Sequence, residues 1–547
     1  MPIEPAEPLE PPKPPRSRPT PARLLIAGLV VLFGVVVVRT AWLSEDAYFT
    51  FRCVENWVHG YGARWNVNER VQAYTHPLWF GLMSVVYFVT RHMAASGFAL
   101  GLACSAATAV VLVRRVGSSW QGTALALACL TLSKSFTDYS TSGLENPLSH
   151  LLLLLFFARF WRDETRELSQ GDSSRELAIT CGFGGLLVCN RLDLGLILAP
   201  ALVYLLWPPR LSIRRVLAIG VGFSPLIVWE IISLIYYGFL VPNTAYAKLG
   251  SDLARDALWR QGWRYFENSL VWDPITLATI AAAIVLGLRF ARARPKHFCA
   301  ALGVLLYLAY IVEIGGDYMS GRFFSAPLAV AAGLIANFEW PTPVRPRLRT
   351  AGLAASAAAI VFLGFVQAAS PTVFAGKDYT RKRLGSSNLV DDERGNRHGY
   401  AGLISDRRKP FLASSIWYRR GLRHREKAEG RTTPLVIVDA NGGYMGYAAG
   451  PKVHYVNPYG ITDPLLARLP GNYRAPGHVR REVPSRYLRA IGKRGKIRDP
   501  DLHAYWKDLA LIIRGPIWSR RRWAAIWRMH TGQNQHLLDA YLAKHPE

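Results

Sequence analysis

Two adjacent carboxylates, Glu45 and Asp46, stand where an apolar run from about residue 24 to residue 42 gives out. An ionisable pair at a membrane boundary is costly unless it faces a cavity, a partner or the interface. In a cavity, Asp46 as a carboxylate could take a proton from an attacking hydroxyl, the work of a general base. In headgroup water the same pair would merely stop a helix. The loop over residues 44–76 also carries Arg52, Glu55, Arg64, Glu69, Arg70 and His76 among Tyr48, Trp57, Tyr61, Trp65 and Tyr74. A plain connector between membrane helices would be shorter and less ionisable. His76 precedes Pro77, a residue suited to a first helical turn. An imidazole there can donate to a phosphate or bond the loop behind it.

Four further stretches carry chemistry of the same kind. Thr141-Ser142-Gly143-Leu144-Glu145 places a lone carboxylate before another proline-started helix; the helix dipole would favour Glu145 even without a function. Asn190-Arg191-Leu192-Asp193 sets opposite charges between apolar segments. Arg191 suits a phosphate contact, and Asp193 reads as its structural ion-pair partner. Asn243 and Lys248 follow a long apolar run, where Lys248 either meets a phosphate or snorkels to the surface. Gly315-Gly316-Asp317 leads to Arg322, the paired glycines permitting an unusual backbone at a helix junction. Taken together, these residues place carboxylates, arginines and a lysine on one face of a membrane bundle, as a charged headgroup on a lipid tail requires.

The elements that must position them read as a polytopic α-helical membrane protein with a C-terminal soluble α/β domain. Half of the 547 residues are hydrophobic and 12% are aromatic. Apolar runs of spanning length recur to about residue 370 and then stop, which gives about 10–12 transmembrane helices by hydropathy. Residues 1–22 form a Pro-rich, basic leader, expected as a disordered cytoplasmic tail. Residues 23–370 form the membrane domain, with 44–76 as its first outer loop, and residues 371–547 an extracytoplasmic domain. Basic connectors such as Arg114-Arg115 and Arg345 to Arg349 are cytoplasmic by the positive-inside rule. The motif-bearing connectors 44–76, 137–146, 190–193, 241–269 and 314–322 then gather on the opposite side. Three apolar runs lie between 44–76 and 137–146, where an even number of crossings is needed, so one of them should be short or re-entrant. In the tail, 434–439 is expected as a buried strand, 453–456 as a second strand and 505–514 as a short helix.

Composition narrows the partners. The formal charge of +27 would suit nucleic acid, but basic segments flank almost every apolar run. That pattern points to the bilayer's anionic headgroups and a phosphorylated lipid, not to nucleic acid. All six cysteines lie in the membrane half, so no disulfide framework holds the tail. No Cys/His spacing resembles a zinc site, and no metal ligand is assigned; a divalent cation, Mg or Mn, is the one cofactor to consider.

The stretch from Glu45-Asp46-Ala47-Tyr48 to Tyr74-Thr75-His76-Pro77-Leu78-Trp79 resembles the first periplasmic loop of GT-C fold glycosyltransferases. The motifs around Glu145, around Asn243 and Lys248, and from Gly315-Gly316-Asp317 to Arg322 recur in the same order in one branch, which resembles the terminal arabinofuranosyltransferases of actinobacterial cell-wall assembly. Tail segments 450–468 and 477–482 are similar to that branch's soluble domain. The resemblance implies a GT-C fold in a bacterial inner membrane. It also implies transfer of a sugar, best read as arabinofuranose, from a polyprenyl-phosphate donor to an extracytoplasmic glycan or protein acceptor. The family's catalytic acid maps onto Asp46. Glu45, Arg52, His76, Glu145, Arg191, Asn243, Lys248, Asp317 and Arg322 fall to substrate binding. Two departures stand out: Glu45-Asp46 replaces the Asp-Asp common in relatives, and Asn190-Arg191-Leu192-Asp193 replaces an Arg-Pro-Glu-Gly pattern. A single base with in-line attack gives inversion, whereas retention needs a covalent or front-face route. The alternative is a transporter or flippase for a lipid-linked sugar, which should show an inverted repeat; none is visible.

Overall fold

A computed structural model describes residues 20–162, 173–207, 212–249, 254–340, 346–363, 389–404, 411–492 and 495–545. Most of the leader and the boundary expected near residue 370 lie outside the described residues. Seven helices lead up to and around the motifs: α1 Pro21–Thr40, α2 Ala47–Val58, α3 Pro77–Thr90, α4 Met93–Val111, α5 Trp120–Leu132, α6 Lys134–Asp138 and α7 Asn146–Phe160. Prolines open α1, α3 and α7, where the missing N–H costs nothing.

Among the described residues, Pro21–Thr40, Met93–Val116 and Pro295–Glu313 are long and apolar enough to cross a bilayer unaided. These helices mark a membrane protein. Two bent pairs, Ile213–Gly222 with Ser224–Tyr236 and Arg255–Trp272 with Pro274–Arg289, pass the same test jointly, and five shorter apolar helices accompany them. The first of these pairs is one apolar stretch bent by 57°. At the bend, a side chain at Gly222 would meet Cys181 Cβ at 2.5 Å; only a glycine lets the helix Ser173–Asn190 approach so closely.

The connector expected over 241–269 is not merely polar loop. It contains the helix Arg255–Trp272, which turns through 109° into Pro274–Arg289. The buried Asp273 sits at that corner and accepts hydrogen bonds from Ser135 N at 2.7 Å and Thr276 Oγ1 at 2.5 Å. Hydropathy missed this helix because its exposed face is charged.

Of the three apolar runs between 44–76 and 137–146, α3 is one of the short ones. At 14 residues it is only ~21 Å long against a hydrocarbon core of ~30 Å. It also lies along α2, with Trp57 against Phe80 at 5.0 Å and His59 against Tyr87 at 6.2 Å. α5 is as short, at 13 residues, and of these three helices only α4, continued to Val116, is long enough to span unaided.

The tail has two small sheets. Strand β1 (Leu435–Val438) pairs in parallel with β2 (Val453–Val456), and β3 (Asn472–Ala475) pairs antiparallel with β4 (His478–Arg480). The strand expected to be buried, β1, is only half-buried, and β2 is wholly buried. The reason is β2's second neighbour: Asn66 of the first loop accepts from Tyr455 N at 2.9 Å and donates to Tyr455 O at 3.2 Å. The short helix of the tail begins earlier than expected, at Pro500, and ends at Arg514. Leu465, Leu502, Leu509 and Ile512 form the tail's core, which also takes in Val71 and Phe239 from the membrane half.

Candidate functional site

The centre of the site is a buried carboxylate. Glu145, 1% exposed, closes the 141–145 turn at the start of α7, and Asn190 fixes its backbone by donating to Glu145 O at 3.1 Å. Gly143 permits the turn with φ +76°; a side chain there would meet Ala47 Cβ at 2.9 Å. Three cationic or ionisable groups converge on Glu145: Arg191 Nη1 at 3.0 Å, Arg322 Nη2 at 3.3 Å and His76 Nδ1 at 3.2 Å. Burial alone would push the Glu145 carboxyl up, but Arg322, His76 and Arg191 outweigh it and hold it well below the usual range.

Each cation has a second tie. Arg191 Nε lies 2.9 and 3.1 Å from the Asp193 oxygens, and Tyr307 donates to the same carboxylate at 2.8 Å. This bears out Asp193 as a structural partner. Arg322 Nη1 reaches Asp317 at 3.4 Å, while its buried Nε has no hydrogen-bond partner among the described residues. His76 Nε2 is 2.6 Å from Thr50 Oγ1. Hydroxyl, imidazole and carboxylate follow the order of a nucleophile relay, but Thr50 is sealed inside α2 at 1% exposure. It orients His76 instead.

The 315–322 segment is held in place by backbone geometry. Gly315, Gly316 and Gly321 have φ of +79°, +73° and +75°, and a side chain at Gly316 would meet Tyr265 Cβ at 2.7 Å. Tyr265 OH donates to Met319 O at 3.0 Å and accepts from Phe323 N at 3.1 Å, so one tyrosine pins both sides of the turn that carries Arg322.

Asp46 begins α2 at the edge of this cluster. It is half-buried, and among the described residues its carboxylate has no hydrogen-bond or ion-pair partner. Its field reaches Arg322, Tyr318, Glu393 and His478. His478 comes from β4 and stands between Tyr318 and Tyr459, ring centroids 4.6 and 4.8 Å away, with Nδ1 3.1 Å from Pro476 O. Burial pushes this imidazole down, toward the neutral form. Lys248 lies exposed beside Gly477, where an added Cβ would meet Nζ at 3.2 Å, and its charge also bears on His478. No described carboxylate pairs with it. Asp46 and Lys248 are thus two uncommitted charges facing one histidine.

Glu45 points the other way. It pairs with Arg397 at 2.8 Å, and Arg397 in turn holds Glu393 at 2.7 Å. Burial pushes both carboxyls up, with Arg397 opposing, and takes Glu393 to about 7. Two other expected binding residues are braces. Arg52 is 1% exposed and donates to the carbonyls of Trp65 (2.9 Å), Gly446 and Val453 (2.7 Å), its guanidinium stacked 4.5 Å over Trp65. Asn243 donates to the carbonyls of Gly460 (2.7 Å), Ile461 (3.1 Å) and Asp463 (3.2 Å). Arg52 ties the first loop to the tail through these carbonyls, and the Asn243 amide is spent on tail carbonyls.

Sequence reasoning did not assign Tyr318 and His478 to the site, although both lie in segments it singled out (315–322 and 477–482), and it missed a second buried charge cluster. Lys134 pairs with Asp138 and, at 2.9 Å, with Asp392; Arg394 reaches Asp138 at 2.5 Å. A lysine at the end of an apolar run is itself a signal. This cluster docks the 391–394 segment under α6. A cavity of about 640 Å³ lined by Phe239, Tyr246, Arg468 and Leu538 contains none of the residues gathered at Glu145. Among the described residues, no group of three or more His, Cys, Asp or Glu could hold a metal ion. Glu145, Asp193 and Asp317 are each committed to arginine, so they do not fit a divalent cation.

No protein-family model matches the chain. It is similar to the terminal β-(1→2)-arabinofuranosyltransferase of Mycobacterium tuberculosis, 30% identical over 348 residues, covering 56% of this chain and 54% of that one. The enzyme of the same name from Corynebacterium glutamicum is 30% identical over 330 residues, covering 52% and 46%. The chain therefore spans about half the length of the curated relatives it matches. Among solved structures, it is similar to the apo oligosaccharyltransferase of Archaeoglobus fulgidus, with TM-score 0.47 and 12% identity over 79% of this chain and 65% of that one. It is also similar to ArnT from Cupriavidus metallidurans bound to undecaprenyl phosphate, with TM-score 0.46 and 13% identity over 82% and 88%.

Proposed function

We propose that this chain is a GT-C glycosyltransferase of the bacterial inner membrane. It moves a sugar, arabinofuranose on the strength of the curated relatives, from a polyprenyl-phosphate donor to an envelope glycan or protein acceptor. The site and the tail face the extracytoplasmic side. The observation that carries this reading is the contrast at the site: Glu145, Asp193 and Asp317 neutralise the arginines, while Asp46 and Lys248 have no partner of their own.

Asp46 takes the proton of the acceptor hydroxyl as that oxygen bonds to the anomeric carbon. The bond from the anomeric carbon to the phosphate oxygen breaks, and its electron pair leaves with the polyprenyl phosphate. Lys248 meets the charge that develops there, with the Arg322 guanidinium behind it. Arg191 and His76 hold Glu145, and through it the attitude of Arg322. No step is routed through a metal.

The test is sugar transfer by purified protein with a synthetic polyprenyl-phosphate arabinofuranose and an oligo-arabinan, beside Asp46→Asn. Product from the wild type alone supports enzyme, donor and base together. Product only with other polyprenyl-phosphate sugars keeps the class and discards arabinose. No transfer from any donor, with lipid movement in vesicles instead, hands the chain to the transporters.

A further inference from the structure

The helix Arg520–His530 exposes one continuous face: Arg520, Arg521, Ala524 and Trp527 are all exposed, with Trp518 at the helix's start. Trp518 is 75% exposed and Trp527 66%. Two indoles left open on one helical face are unusual for a surface that meets only water. The nearby Arg528 is paired with Asp508 at 2.8 Å, whereas Arg520 and Arg521 have no partner among the described residues.

The position of this face is fixed by its neighbour. Arg522 is fully buried and donates to Ile235 O at 2.9 Å and Tyr236 O at 3.1 Å, the last carbonyls of the apolar helix Ser224–Tyr236. It also donates to Ile512 O at 2.8 Å. His530 adds a contact to Gly238 O at 3.0 Å. The tail helix is therefore clamped at the depth where Ser224–Tyr236 leaves the bilayer. That membrane helix turns Ile227, Val228, Ile231 and Ile232 outward, about half exposed each, toward lipid.

We infer that the Trp518–Trp527 face of Arg520–His530 seats in the lipid headgroup layer and binds anionic lipid. Indoles concentrate at that depth, and uncommitted arginines there are drawn to anionic headgroups. The helix is tied by Arg522 to the end of Ser224–Tyr236, whose exposed isoleucines and valine face lipid. This fixes the tail's attitude at the membrane and depends only on the chain's being a membrane protein, not on the sugar it handles.

The test uses the full chain with Ala524→Cys carrying a thiol-reactive fluorophore, in vesicles of phosphatidylcholine with or without phosphatidylglycerol. The six native cysteines are buried and leave the label selective. The expected result is a label quenched by lipids bearing a nitroxide at the headgroup and shielded severalfold from aqueous acrylamide. Shielding should be stronger with phosphatidylglycerol. Arg520→Glu with Arg521→Glu should abolish the phosphatidylglycerol effect, and Trp518→Ala with Trp527→Ala should reopen the label to acrylamide. A label at Val228→Cys, quenched by deeper nitroxides, checks insertion in each case. Full acrylamide access at Ala524→Cys in correctly inserted protein, or shielding indifferent to phosphatidylglycerol and to both double variants, would overturn the inference.

Discussion

Replacing Glu145 by Gln keeps the shape of the side chain and removes the charge on which the site converges. Losing one partner of a buried ion pair costs ~3–5 kcal/mol, because the remaining charge is stranded. The structure decides where in that range the loss falls. Arg191 keeps both oxygens of Asp193 at 2.9 and 3.1 Å, so it is not stranded. Arg322 keeps only Asp317 at 3.4 Å. The damage is therefore concentrated on one guanidinium, and about 3 kcal/mol is expected. The assay is thermal unfolding of wild type and Glu145→Gln in one detergent, followed across pH. The Glu145 carboxyl is held well below its usual range, so its contribution is complete above the unfolded value of ~4.3 and is lost as pH falls toward the folded one. The gap between the two proteins should be level through neutral pH and close only in acid. Equal stability at neutral pH, or a gap that widens in acid, would refute the account of Glu145 as the hub.

Asp46→Asn should lower turnover by ~10²–10⁴ if Asp46 is the base, and leave the melting point unchanged because its carboxylate has no partner to lose. Arg52→Lys should cost about 2–3 kcal/mol through lost charge-assisted hydrogen bonds while leaving the donor KM of the folded protein alone; a raised KM at unchanged stability would return Arg52 to substrate binding. Glu393 titrates near 7 in the folded chain, above its unfolded ~4.3, so wild-type stability should fall as pH rises through that interval. Glu393→Gln should flatten that fall, and parallel pH curves for the two proteins would remove Glu393 from it.

Hydropathy located the helices because burial in lipid demands long apolar runs, and it failed where that demand is relaxed. Arg255–Trp272 went unrecognised because one face carries charge, and the 57° bend between Ile213–Gly222 and Ser224–Tyr236 was invisible because a glycine bend leaves the run's composition unchanged. Crossing parity called for a short run between 44–76 and 137–146 without saying which; α3 and α5 are both short, and ring contacts with α2 hold α3 beside the first loop. Charged side chains near membrane boundaries were equally legible as candidates, since each must be justified by a partner or a role. Which of the two applies is a matter of tertiary contact. Arg191 has Asp193 two residues away to announce a carboxylate partner, whereas nothing local to Arg52 says that it grips backbone carbonyls of Trp65, Gly446 and Val453.

The division between braces and available charges follows from how the tail is attached. Arg52, Asn66 and Asn243 use their polar groups on tail backbone, and Glu45 uses its charge on Arg397. The same docking brings His478 into the field of Asp46 and against Tyr318. The site is thus assembled from chain segments more than 400 residues apart, and neither segment contains it alone. That is why Asp46 could be given a role from the sequence while His478 could only be placed in a resembling segment: Asp46 stands in an anomalous local setting, and His478 sits in a hairpin whose part in the site comes from where the fold delivers it.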